Sequence, residues 1–217
     1  MGDVSDLDLA AGEFSAWLAD MRAAIRSGGA MDVPCGTCTA CCTGSQFVHV
    51  GPDETDALAD IPAELLFPAP GLPDGHVVLG YDDRGHCPML VDGRCSIYDH
   101  RPRTCRTYDC RVLVAAGFAD DEDVPVEISR RATRWRFDHR GESARMEQAA
   151  VERAATFLAD HPEALPPEAG RPSLTRLAAL AIEVADLFVD AQPDVVGVRA
   201  ALSAALAQMR DSSAWRR

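Results

Sequence analysis

The chain has 217 residues, 47% of them hydrophobic, enough for a core that needs no covalent staples. Its net charge of -13 and pI of about 4.8 would repel a polyphosphate backbone, so no nucleic-acid partner is expected. No apolar run of about 18 residues occurs, and Met1-Gly2-Asp3-Val4-Ser5-Asp6 is acidic where a secretory signal is positive. A cytoplasmic protein without membrane association is therefore expected. All 21 basic side chains are arginine and the chain has no lysine or asparagine, the pattern of a GC-rich bacterial coding sequence. Single arginines therefore carry little functional signal.

Phe14, Trp17, Leu18, Met21 and Ile25 fall at helical spacing and Ser27-Gly28-Gly29 ends the pattern, which predicts an amphipathic helix within residues 1–30. Residues 31–118 read differently. They hold every cysteine, β-like runs at Gln46 to Val50 and His76 to Tyr81, and a proline-rich connection from Ile61 to Gly75 that cannot be a long helix. This predicts an irregular, loop-rich metal module containing short β-strands.

The acidic turn Ala119 to Asp123 could cap a helix starting near Pro125, with Ile128, Ala132 and Trp135 on one face. Arg134 to Phe137 could instead be a strand; the helix is preferred. Three more helical patterns follow, from Met146 to Leu158, Leu174 to Phe188 and Val198 to Met209. The last two are expected to form an antiparallel hairpin joined at Gln192-Pro193-Asp194. The fold class is thus mainly α, with a helical C-terminal region over residues 119–217.

Four thiols, Cys35, Cys38, Cys41 and Cys42, lie within eight residues and are separated only by small side chains. A second set comprises Cys87, Cys95, Cys105 and Cys110. Thiolates are soft ligands, so groups of four select tetrahedral zinc or an iron-sulfur cluster over hard cations. Ionised and unbound, eight of them would load an already acidic chain with further negative charge, which favours metal neutralisation. A disulfide framework is disfavoured by chain size and by the missing secretory signal. A single catalytic thiol with a histidine base is disfavoured by the clustering. His86 and His100 sit near the candidate ligands, where a lone histidine is more often an outer-layer or solvent-facing group.

Pro102 stands where a helix can start, placing Cys105 in the first turn, where free backbone N–H groups would stabilise its thiolate. Arg101, Arg103, Arg106 and Arg111 would add positive charge there, or simply pair with Asp82, Asp83, Asp92, Asp99 and Asp109.

The combination Cys-x-x-Cys-x-x-Cys-Cys at 35–42, Cys87-Pro-Met-Leu, Gly93-Arg94-Cys95-Ser96-Ile97-Tyr98 and Arg101-Pro102-Arg103-Thr104-Cys105-Arg106 resembles the YkgJ-like cysteine-cluster family, the CxxCxxCC zinc- or iron-chelating domain. The resemblance spans about residues 33–118 and implies metal chelation by the matched cysteines. A related cluster occurs in larger flagellin lysine methylases that use S-adenosylmethionine.

All eight cysteines are thus the expected metal ligands, with an iron-sulfur cluster favoured over Zn2+ because the close Cys-x-x-Cys-x-x-Cys run is similar to cluster-binding runs. The expected role is electron transfer or an accessory function with a protein partner. The rivals are a zinc-stabilised interaction module and a redox or lysine-methylase-like enzyme. The chain shows no dinucleotide fingerprint after a strand, no P-loop and no nucleophile elbow. No catalytic residue is assigned from sequence, and an oxidoreductase role stays open.

Overall fold

The computed structural model describes residues 8–27, 29, 31, 33 and 35–211, with side chains through Gln208. In chain order its elements are β1 (Leu9–Glu13), α1 (Phe14–Ser27), β2 (Val48–Val50), α2 (Thr55–Asp60), β3 (Leu66–Pro68), β4 (Val77–Leu79), β5 (Leu90–Val91), β6 (Arg94–Cys95), α3 (Arg103–Thr107), α4 (Arg111–Ala115), α5 (Val126–Ala132), β7 (Trp135–Asp138), α6 (Glu142–Asp160), α7 (Leu174–Val184) and α8 (Val195–Asp211). The protein is mainly α with short strands. Among the described residues no helix is long and apolar enough to cross a membrane.

The chain divides into two compact units. Among the described residues, one gathers those up to Gly29, Cys110–Val124 and Ser129–Asp211; the other holds those from Met31 to Asp109 with Pro125–Ile128.

In the helical unit, the Glu13 carboxylate accepts the Ala16 N–H at 2.8 Å and so caps α1, whose stripe buries Phe14, Trp17, Leu18 and Met21. Phe14 and Trp17 meet Phe137 with ring centroids 5.0 and 4.7 Å away. Alanines at 150, 154 and 155 of α6 and at 178 and 181 of α7 are fully buried, which lets these two helices approach closely. Large side chains fill the remainder: Leu113, Leu158, Ile182 and Leu202 are 0–1% exposed, and burying each contributes about 1.5–3 kcal/mol. α7 packs on α8 across the Gln192-Pro193-Asp194 connection.

Two local expectations change here. The helix from Pro125 stops at Ala132, and Trp135 lies on β7, which runs parallel to β1 with Leu9 opposite Trp135. The rule that won is tertiary: the β-prone Trp-Arg-Phe run gains a strand partner in a segment, Leu9–Glu13, that no periodicity marks. The pattern through Phe188 also breaks, α7 giving way to a 3-10 turn over Ala185–Phe188.

The second unit is built on a three-stranded antiparallel sheet in the order β2-β4-β3, with Val50 opposite Val77 and Leu66 opposite Leu79. Strands appear within both predicted β-like runs, while β3 and the short α2 were not expected. Val48, Val50, Ala57, Ile61, Leu79, Met89 and Ile97 form its buried core. Cys87 and Cys95 pack against that core, so two of the candidate ligands grow out of an apolar floor.

Candidate metal centre

The sequence of the Cys87–Cys95 segment explains its shape. Asp92 and Gly93 both have positive φ, 49° and 73°, the geometry of a type I′ turn, and Asp-Gly is the pair such a turn prefers. The turn folds β6 back on β5 with Leu90 opposite Cys95. Leu90 N–H in turn donates to the Cys87 carbonyl at 2.9 Å. Nine residues of chain thereby bring two cysteines to neighbouring positions.

The loop carrying the first cysteine set is stitched to this segment by main-chain bonds. Cys87 N–H donates to the Cys42 carbonyl at 2.7 Å, and Ser45 N–H to the Gly85 carbonyl at 2.9 Å. Gly85 is required twice over: its φ is +80°, and a Cβ there would collide with Ser45 Oγ. The preceding turn is fixed by Asp82, whose carboxylate accepts the Arg84 and His86 N–H groups at 2.9 Å each. The His86 main-chain bond and the Arg84 side chain hold that carboxyl down at about 2.

Cys105 is placed by α3, which begins after Pro102 as the sequence suggested. Glu54, nearly buried, clamps the start of this helix: one carboxylate oxygen accepts the Gly51 N–H at 2.8 Å and the other accepts the Arg103 N–H. Thr104 Oγ1 donates to the His49 carbonyl on β2 at 2.8 Å, and Arg103 pairs with Asp53 at 2.5 Å. Glu54, Asp53 and Thr104 were not singled out from sequence. At the start of α3 their acidic and hydroxyl side chains act on partners some 50 residues distant, which spacing cannot reveal.

The thiols share one electrostatic neighbourhood. Burial pushes the Cys42 thiol up to about 11, with Cys87, Cys95 and Cys38 adding repulsion. Cys105 keeps exposed surface as a residue, yet burial of its thiol raises it to about 12, with Cys87, Cys42 and Cys95 contributing. Cys87 is raised as well, by burial first. This corrects the expectation of a stabilised Cys105 thiolate. The Arg103 N–H is taken by Glu54 and the Cys105 N–H donates to Pro102 O, so a five-residue helix has little field left to offset burial and like charge.

Cys38, Cys42, Cys87, Cys95 and Cys105 are therefore brought together across both sequence sets. Cys35 and Cys41 lie on the same loop, where Cys38 N–H donates to the Cys35 carbonyl at 3.0 Å and Cys41 is exposed. Cys110 belongs to the helical unit, is buried, and accepts the Trp135 indole N–H at 3.2 Å. His100 turns to Asp60, 2.7 Å from Nδ1 to the carboxylate. Among the described residues no disulfide joins two cysteines.

The donor chemistry fits a zinc or iron group. Several soft thiols that burial and mutual repulsion hold in the neutral form are groups a cation would ionise and bind. Beside them the buried Arg101 Nε has no hydrogen-bond partner, a donor left for an anionic sulfur. Among the described residues no three Cys, His, Asp or Glu side chains stand at the spacing of a closed metal site. The sulfurs are gathered without being closed into a polyhedron.

Residues 34–127 match the family model CxxCxxCC, described as "Putative zinc- or iron-chelating domain", and this segment contains all eight cysteines. No match was found among curated proteins or among solved structures. The matched segment, about two-fifths of the chain, is thus similar to the CxxCxxCC family of zinc- or iron-chelating cysteine-cluster domains.

Proposed function

We propose that this domain holds an iron-sulfur cluster and serves as an electron-transfer or accessory protein for a protein partner. The observation that carries the reading is the convergence of Cys42, Cys87, Cys95 and Cys105, four soft donors from three separate chain segments, where ionising one thiol opposes ionising the next unless a cation binds. Cys38 adjoins this set, and Cys35 and Cys41 share its loop as further proposed ligands. The Cys-x-x-Cys-x-x-Cys run favours a cluster over a single ion. A bound cluster would supply one-electron transfer. The chain's own residues set the loops: the β5–β6 turn, Gly85 and the Glu54 clamp fix where the sulfurs emerge. The acidic chain, with net charge -13, suits a basic partner surface.

A redox or lysine-methylase-like enzyme is the remaining rival; in the cavity beside α2 and α3, about 180 Å³, Arg103 and Arg106 face Asp53 and Glu54.

The second reading is a zinc-closed interaction module. It is favoured by the apolar core and sheet of this unit, a scaffold that one structural ion would complete. Anaerobic purification followed by metal and acid-labile sulfide analysis separates the two. Brown protein with iron and sulfide in equal amounts is expected. Colourless protein with stoichiometric zinc and no sulfide would give the assignment to zinc, and protein that takes up neither would end both.

A further inference from the structure

We propose that Arg101 is the counter-cation of the thiolate site, held over the Tyr98 ring so that its unpartnered Nε–H faces an anionic sulfur once metal is bound. This rests on the metal-binding reading above and names a positioning residue within it.

The guanidinium carbon of Arg101 lies 3.6 Å from the Tyr98 ring centroid, a cation–π contact that fixes the plane of the group. Its Nε is buried and has no hydrogen-bond partner. An unmade bond at a buried donor is unfavourable, so such a group signals an acceptor that arrives with a ligand. The backbone is preset as well. Arg101 precedes Pro102 and sits at φ -52° and ψ 138°, the extended form a following proline favours. Four residues later, in α3, comes Cys105, one of the proposed ligands.

The charge balance shows why a cation is needed. Four thiolates around one divalent ion leave a net charge of about -2 in a chain whose own charge is already -13. One guanidinium halves that residue. Arginine suits the place better than a point charge, because the ring contact engages its face while Nε–H remains free in the plane.

The test uses the full-length protein, stripped of metal under reducing conditions and titrated with Co2+ against a competing chelator. Wild type is expected to show thiolate-to-cobalt charge-transfer absorption. Arg101→Met should weaken Co2+ binding about 10- to 100-fold, the usual effect of losing a group that supports a ligand. It should also move the charge-transfer band to lower energy, since sulfurs without the N–H donor are more electron-rich. Arg101→Lys should recover part of the affinity but not the band position, and Tyr98→Leu should fall between wild type and Arg101→Met. Arg140→Met, at an exposed arginine paired with Asp138, controls for the loss of one positive charge. Affinity within twofold of wild type and an unmoved band in Arg101→Met overturn the proposal. If that variant does not fold, an unmoved band in Arg101→Lys overturns it equally. A wild-type protein that shows no thiolate–cobalt band removes the metal-binding reading itself, which is a separate result from a wild type that binds and an Arg101 variant that binds equally well.

Discussion

The main chain of Cys87 is hydrogen-bonded to that of Cys42, N–H to carbonyl at 2.7 Å, so the two cysteine sets are joined by backbone before any metal joins them by sulfur. A bond of this kind holds position to a fraction of an ångström at a net contribution of only about 1 kcal/mol.

Gly85 and Gly93 should differ in what alanine does to them. At Gly93, φ is +73° and a Cβ would meet nothing, so Gly93→Ala carries only the left-handed strain of about 1–2 kcal/mol. At Gly85 the same strain combines with a collision against Ser45 Oγ, directly beside the Cys42–Cys87 bond. Gly85→Ala should therefore lose more stability and more metal affinity than Gly93→Ala. Adding Ser45→Ala should recover the collision part alone. Urea midpoints and chelator competition on the four proteins decide it; equal losses at the two glycines would contradict the account.

His100 and His49 should pull stability in opposite directions with pH. The Asp60 carboxylate beside His100 raises its pKa above the ordinary value of 6.5. A raised histidine contributes stability that is present in full below 6.5 and is lost as pH climbs through the higher folded value. The difference in urea midpoint between wild type and His100→Gln should thus shrink from pH 6 to pH 8. His49 is depressed, by burial first and then by His76, whose Nδ1 lies 2.9 Å from His49 Nε2; Glu54 and Asp53 oppose the shift and Arg103 assists it. The unfolded chain then binds the proton more readily. His49 therefore costs stability as pH falls below 6.5, and His49→Gln should flatten that acid limb. Parallel pH profiles for wild type and both variants would refute the assignment.

Much of this was legible in the sequence, for identifiable reasons. Periodic apolar residues give α1, α6 and α8, because a helix repeats its own signal every turn. The Asp92-Gly93 turn and the Pro102 start of α3 likewise place Cys95 and Cys105 by local rules. What could not be read is long-range. β1 has meaning only against β7, more than a hundred residues away, and the Glu54 clamp only against the N–H of Arg103. The behaviour of Cys105 was misjudged for the same reason: a helix start favours a thiolate, but Cys42, Cys87 and Cys95 crowd it from elsewhere in the chain.

Cys110 should act on stability through Trp135. Its Sγ accepts the indole N–H at 3.2 Å, and both residues are buried, 6% and 2% exposed. Cys110→Ala removes the acceptor and a sulfur's volume, leaving a buried donor unmade and a small void, about 1–3 kcal/mol together. For a chain of this length that is a fall in Tm of several degrees, at about 2–4 °C per kcal/mol. Measured in the presence of chelator, the effect is free of any ligand role. Cys110→Ser keeps an acceptor and should lose less. A Tm unchanged in Cys110→Ala would show that the N–H···S contact contributes nothing.

Metal removal should loosen the thiol-bearing loops while leaving both apolar cores standing. The loops over 35–47 and 85–106 are held by a handful of main-chain bonds and expose much of their surface, so ligand bonds would be their main restraint. The sheet β2-β4-β3 with Val50, Leu79 and Ile61 buried beneath it owes nothing to metal, and neither do the packed faces of α6 and α7. Chelation under reducing conditions should therefore open cleavage sites for an arginine-specific protease near Arg84, Arg94 and Arg103, with helical circular dichroism nearly unchanged. Returning zinc or iron should close them again. Cys42→Ser, Cys87→Ser and Cys105→Ser should each reproduce the cleaved pattern without chelator, because serine offers a harder oxygen that stays protonated at neutral pH and binds such metals weakly. If the chelated protein resists cleavage at those arginines as well as the untreated protein does, the thiols of this domain are not holding its loops through a metal.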